Sequence, residues 1–150
     1  KQATGSTVGT CVLEDFDHCD AIFYFGQNPG TNSPRFLHPL QEAVKRGCKI
    51  ITFNPVREAG LVQFINPQSP LEMLSGHATE LSHMYLQVRP GGDIAALMGL
   101  CKHVLAVDET RRAAGMPSVL DRGFIAQHTH GFDSFAAMAR TAGCVGLGAR

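Results

Sequence analysis

Two short apolar runs, AIFYF at Ala21–Phe25 and KIITF at Lys49–Phe53, constrain this chain more than any other feature. The first is continuously apolar and ends in Gly26; the second is β-branched and stops at Asn54-Pro55. Runs without polar alternation suit strands of a parallel sheet buried on both faces. Between them Phe36, Leu37, Leu40, Ala43 and Val44 recur at helical spacing. Pro39 falls in the first turn, where its missing N–H does no harm, and Gly47 closes the helix. Strand, helix and strand follow within about 33 residues, the size of a right-handed βαβ unit. The expected fold class is α/β with a mainly parallel sheet.

Further along, Pro67 and Pro70 bracket a loop, with Leu71, Leu74 and Ala78 on a short helix. The run MYLQV at 84–88 reads as a third strand, ended by Arg89-Pro90-Gly91-Gly92. Asp93 then opens a helix on which Ile94, Leu97, Met98, Cys101, Val104 and Leu105 share one face. Residues 108–118 read as a charged loop, and helices near 121–127 and 132–141 close the domain. The expected organisation is one α/β domain over 1–142 and a flexible tail, 143–150, with three glycines. The chain opens at Lys1 rather than Met, which reads as an excised piece of a larger protein.

Composition narrows the function classes. Thirteen basic residues balance thirteen acidic ones, so the basic footprint of a nucleic-acid-binding surface is not expected. No apolar run reaches the roughly 20 residues of a membrane-spanning helix. Five cysteines are odd in number and scattered, which reads as reduced thiols in a cytoplasmic protein. Seven histidines, including His128 and His130, lack companions at metal-ligand spacing and read as surface or loop residues. No P-loop, dinucleotide fingerprint or nucleophile elbow is present, and no nucleophile, base and orienting group form a set.

The chemistry that remains lies at the strand ends. Each strand stops in a turn-forming polar cluster: Gly26-Gln27-Asn28-Pro29-Gly30, Asn54-Pro55, and Arg89-Pro90-Gly91-Gly92-Asp93. In an open parallel sheet these ends share one edge, outside which ligands bind. Glycines there admit a ligand close to the backbone, and helix N-termini offer N–H groups to phosphate. Asn28, Thr31 and Asn32 add neutral donors. Ordinary turn chemistry explains the same residues. Asp93 likewise has two readings: an N-cap for its helix, or a carboxylate accepting two N–H bonds from a guanine edge.

Four segments carry a family resemblance. FGQNPGTNSP at 25–34 resembles the G-x-N-P-x-x-x-x-P segment of the molybdopterin oxidoreductases, the formate dehydrogenase and dimethyl sulfoxide reductase superfamily. QEAVKRGCKIITFNPVRE, QVRPGGDIAALMG and RGFIAQHTHGFDSF resemble, in order, that family's helix-Gly-strand-Asp-Pro stretch, its P-G-x-D-x-A-L motif and its F-I-x-x-x-T-x-G-F segment. With GTCVLEDF, the wording is most similar to bacterial formate-dehydrogenase-like alpha subunits. The resemblance implies a three-layer αβα domain holding one molybdopterin guanine dinucleotide. It implies Gly26, Asn28, Thr31 and Asn32 near phosphates and ribose, Phe53, Asn54 and Pro55 beside the guanosine, and Gly91 and Asp93 at the guanine edge. Asn54 departs from the Asp common in the family, losing charge-assisted strength toward ribose hydroxyls.

The resemblance implies a fragment: a cofactor-cradling domain without catalytic residues or metal ligands of its own. Its partners would be the remaining domains of a molybdenum oxidoreductase and a small redox substrate such as formate. An iron–sulfur cluster would belong to that parent, since none of the five cysteines has cluster spacing. The alternatives are a stand-alone nucleotide- or cofactor-binding α/β module without catalytic activity, and an interaction domain whose strand-end glycines only make turns.

Overall fold

The computed structural model describes residues 11–142; the tail 143–150 lies outside them. Contacts divide the chain into two compact units, 1–87 and 88–150.

The first unit is α/β. Strands β1 (Ala21–Phe25) and β2 (Lys49–Phe53) form where the two apolar runs predict them. A third strand, β5 (Ser82–Leu86), completes a sheet in the order β1-β2-β5. Both pairings are parallel, with Ala21 opposite Lys49, Phe25 opposite Phe53, and Phe53 opposite Leu86. Strand β5 starts two residues earlier than the apolar run suggests. Ser82 is drawn in because its hydroxyl meets the Thr52 hydroxyl at 2.7 Å and donates to the Leu61 carbonyl.

Between β1 and β2 lie a short helix α1 (Pro29–Asn32), a 3-10 turn at Pro34–Phe36 and helix α2 (Leu37–Lys45). Gly47 follows at φ 101°, a conformation that stops the helix and favours glycine. Leu37, Leu40 and Ala43 of α2 pack with Ile22, Tyr24, Ile50, Leu61 and Leu81 in one core. That core covers one face of the sheet. On the other face Phe23 and Met84 each keep 50% of their surface. The expected burial on both faces is therefore incomplete, because α2 presents one apolar face and reaches only one side.

After β2 come α3 (Ala59–Val62), β3 (Gln63–Phe64), α4 (Pro70–Ser75) and β4 (Thr79–Glu80). Strands β3 and β4 pair antiparallel. Ser69 caps α4, with Pro70 at its first position. Glu72 ties α4 inward: its carboxylate accepts from Gln41 Nε2 at 2.9 Å, from the Asn66 N–H at 3.0 Å and from Lys45 Nζ at 3.2 Å. The Asn66 N–H, Gln41 and Lys45 hold its carboxyl down at about 2.

The second unit is helical: α5 (Asp93–Ala113), α6 (Arg122–His128) and α7 (Phe132–Thr141). The last two match the sequence reading within a residue. Helix α5 does not end before Asp108 but runs to Ala113. Asp108, expected in a charged loop, is 1% exposed. Its carboxylate accepts from the Ser118 hydroxyl, from the Val119 N–H at 3.0 Å and from Arg122 Nη2 at 2.6 Å. These bonds hold its carboxyl at about 2, the Ser118 hydroxyl contributing most. The returning loop thus folds onto α5 instead of interrupting it. Leu105, Ala136 and Ala139 form the core between α5 and α7, joined by Met98, Cys101, Leu120 and Phe132. Half of the expected apolar face is used this way; Ile94, Leu97 and Val104 stay exposed. Among the described residues no helix is long and apolar enough to cross a membrane.

Two measurements check these assignments. Leu40, fully buried in the first core, leaves a cavity when cut to alanine, and Leu40→Ala is expected to cost about 2–5 kcal/mol in urea unfolding. Asp108 has a depressed folded pKa, so it stabilises the fold above the ordinary carboxylate range, about pH 4. That contribution is lost as pH falls toward about 2. The protection factor of the Val119 amide, measured by hydrogen exchange, should therefore drop across this window. In Asp108→Asn it should already be low and change little.

Candidate functional site

The carboxyl ends of β1 and β2 lie side by side, because the two strands pair without offset through Phe25 and Phe53. The Gly26 N–H donates to the Phe53 carbonyl at 2.9 Å, adding one rung beyond the strand. Gly26 then turns away at φ 61°, and nothing lies within 4 Å of where a Cβ would stand. Its backbone is therefore open to a ligand, in a conformation that favours glycine.

Asn28 organises the next turn. Its Oδ1 accepts from the Thr31 N–H at 3.2 Å, capping α1 ahead of Pro29. One of the N–H groups at this helix start, that of Thr31, is thus taken up by the protein's own cap. Thr31 and Asn32 remain exposed, whereas Pro29 is buried beneath them.

Asn54 is 6% exposed and joins three segments. Its backbone N–H donates to Leu86 O at 3.1 Å, its Nδ2 to Gln27 O at 3.4 Å, and its Oδ1 accepts from the Val56 N–H at 3.2 Å. Phe53 is 2% exposed and stacks on Phe25 with ring centroids 4.5 Å apart. Both residues therefore support the strand ends from beneath, and Pro55 is the exposed member of this trio.

Three residues that sequence reasoning passed over shape the same edge. A Cβ placed on Gly60 would stand 2.8 Å from the Gly30 Cα, so α1 and α3 touch backbone to backbone. The only sequence signal was a lone glycine in an irregular stretch. The Tyr85 hydroxyl donates to Val56 O at 2.7 Å and accepts from the Glu58 N–H at 3.1 Å. Gln87 Nε2 donates to Pro55 O at 3.2 Å. The loop after β2 is thereby pinned from β5. A cavity of about 410 Å³ runs along β1, lined by Phe16, Phe23, Phe25, Gln27 and Phe36.

Gly91 and Asp93 belong to the second unit. The Gly92 N–H donates to Arg89 O at 2.7 Å, closing a turn with Pro90 second and Gly91 third at φ 79°. This is the type II pattern, with glycine where φ must be positive. A Cβ on Gly92 would lie 2.9 Å from Arg89 O. Gly92, not Asp93, is the residue before α5, and it accepts the first helical bond from the Ala96 N–H at 3.0 Å. The expected cap is thus displaced by one residue. Asp93 sits in the first turn and makes no side-chain capping bond.

Among the described residues no group of three or more His, Cys, Asp and Glu side chains could hold a metal ion. His128 packs against Phe124, with ring centroids 4.9 Å apart.

Comparison with known proteins adds a second line. No protein-family model matches the chain. It is 50% identical over 125 residues to Protein YdeP of Escherichia coli strain K12, covering 83% of this chain and 16% of that protein. It is 42% identical over 127 residues to a protein named an uncharacterized oxidoreductase in Mycobacterium tuberculosis strain H37Rv, covering 85% of this chain and 16% of that one. A more distant similarity, 22% over 134 residues, is to formate dehydrogenase H of Escherichia coli strain K12, covering 89% of this chain and 15% of that enzyme. The chain thus spans about one sixth of the length of these relatives.

The glycine contact makes a prediction. Gly60→Ala should push α1 away from α3 and cost about 1–3 kcal/mol in chemical unfolding, more than the ~1 kcal/mol expected for losing the cap in Asn28→Ala.

Proposed function

We propose that this chain is a cofactor-cradling part of a molybdenum-dependent oxidoreductase acting on a small substrate such as formate, and that it holds one molybdopterin guanine dinucleotide. The observation that carries this reading is the exposed rim at the ends of β1 and β2. There Gly26, Thr31, Asn32 and Pro55 face solvent above a support of Phe53, Asn54 and Tyr85. The resemblance to molybdopterin oxidoreductases, the relative named an uncharacterized oxidoreductase and the more distant formate dehydrogenase H support it.

The rim fits such a group chemically. A pyrophosphate needs close backbone approach and hydrogen-bond donors rather than a lysine, and Gly26 with the Thr31 hydroxyl and the Asn32 amide supplies them. Asn28 sets the turn that presents Thr31. Asn54 and Phe53 act as positioning residues: one joins three strand ends, the other fills the space below them. When bound, the cofactor would supply two-electron redox chemistry, while the protein fixes its orientation. In the second unit, the turn Arg89-Pro90-Gly91-Gly92 presents Asp93 with a carboxylate not engaged in capping. A carboxylate in that state suits the two N–H groups of a guanine edge. The remaining domains of the longer protein would be this chain's partners, and any iron–sulfur cluster would be held there, in a cytoplasmic enzyme.

Calorimetric titration with GDP tests the guanine assignment. GDP should bind the wild-type chain, and Asp93→Ala should weaken it at least about tenfold, the scale of one bidentate pair. Equal affinity in the variant would sink the role given to Asp93. The phosphate side has its own test, since Gly26→Val should weaken GDP and inorganic pyrophosphate alike.

A further inference from the structure

Cys19 and Cys48 are far apart in sequence, yet their sulfurs lie 3.7 Å from each other. Two features of the fold bring them together. The Lys49 N–H donates to Asp20 O at 2.9 Å, so the residues entering β1 and β2 are already neighbours in the ladder. By the register that pairs Ala21 with Lys49, Cys48 stands one residue off Cys19 across strands that run about 4.8 Å apart, and a disulfide spans roughly 4.4–6.8 Å between Cα atoms. The segment before β1, a 3-10 turn at Leu13–Asp17, is also held in place independently of the sulfurs. Arg46 donates to Phe16 O and pairs with Asp17 at 3.7 Å, and the Phe16 and Phe36 rings meet edge to face at 5.0 Å. Cys19 Sγ itself contacts Phe16 O at 3.3 Å.

The two thiols differ in access. Cys48 is 6% exposed within the core under the sheet, whereas Cys19 is only partly covered. No part of the proposed cofactor rim is involved, since these residues lie at the amino ends of the strands.

From this geometry we infer that Cys19 and Cys48 are a redox pair that closes to an intramolecular disulfide on exposure to a small-molecule disulfide such as oxidised glutathione. The Cys19 thiolate attacks one sulfur of the glutathione disulfide. A Cys19–glutathione mixed disulfide forms and one glutathione leaves as its thiolate. The Cys48 thiolate then attacks Cys19 Sγ, forming the protein disulfide and releasing the second glutathione. Two electrons and two protons pass in all from the cysteine pair to the oxidant, which is reduced to two thiols. Burial pushes the Cys48 thiol up to about 11 and keeps it from the oxidant, so Cys19 takes the first step, and Cys48, once deprotonated, attacks only the adjacent sulfur. Closure ties the segment before β1 to the start of β2.

The test is oxidation of the folded chain with oxidised glutathione, followed by intact-mass and non-reducing peptide analysis. The expected result is a loss of about 2 Da, free thiols reduced by two, and one cross-linked peptide joining Cys19 to Cys48. In Cys48→Ser, Cys19 should instead stop at the glutathione mixed disulfide. The inference is overturned if both cysteines stay free or are capped separately, or if Cys19 pairs elsewhere. It is equally overturned if the urea-unfolded chain forms the same link as readily as the folded one, since the fold would then not be what brings the two sulfurs together.

Discussion

Strand β2 pairs in parallel with β1 on one side and β5 on the other, so both edges of its backbone are taken up by ladder hydrogen bonds. Parallel pairing sends all three strands the same way, and every loop that leaves the sheet forwards must leave at one edge. Asn54 shows what this requires. It is the first residue past the central strand, and its backbone and amide bond to the exits of both neighbours and to its own turn. A buried amide left without these partners would carry an uncompensated desolvation penalty. The strand-end rim is therefore built by satisfying the backbone and amide of one strand, and the residues offered to solvent follow from it.

Parts of the fold were legible in the sequence because they rest on patterns longer than a turn. AIFYF and KIITF marked β1 and β2 to the residue, and the apolar spacing before Gly47 marked α2. Helices α6 and α7 were found by the same logic. What could not be read depended on tertiary contacts. Strands β3 and β4 have two residues each, too short for any period. Ser82 entered β5 because of a hydroxyl on the neighbouring strand. Asp108 looked like a surface charge until Ser118 and Arg122, ten and more residues later, enclosed it.

The site divides in the same way. Gly26, Asn28 and the Pro-Gly-Gly turn announce themselves, because glycine, asparagine and proline each mark a backbone conformation that other residues adopt poorly. Phe53 and Asn54 lie at the end of β2, where the apolar run stops, but their burial was not readable from type alone. Gly60 and Tyr85 gave almost no local signal. Their importance lies in what stands opposite them, a second glycine in one case and a loop whose Val56 carbonyl and Glu58 N–H the hydroxyl bonds in the other.

The sheet also says something about the order in which this chain acquires its shape. Neither of its pairings is a hairpin; each joins strands about 30 residues apart, so no rung forms until a long loop has closed. Helix α2 must already lie against the incoming strand for that closure to be rewarded by burial. During synthesis β2 therefore emerges with one edge matched and the other waiting for β5. Until β5 arrives, that edge is a row of unpaired amides beside apolar side chains, the kind of surface that other chains bind. The first unit is thus a slow folder whose exposed interval is set by the distance from β2 to β5.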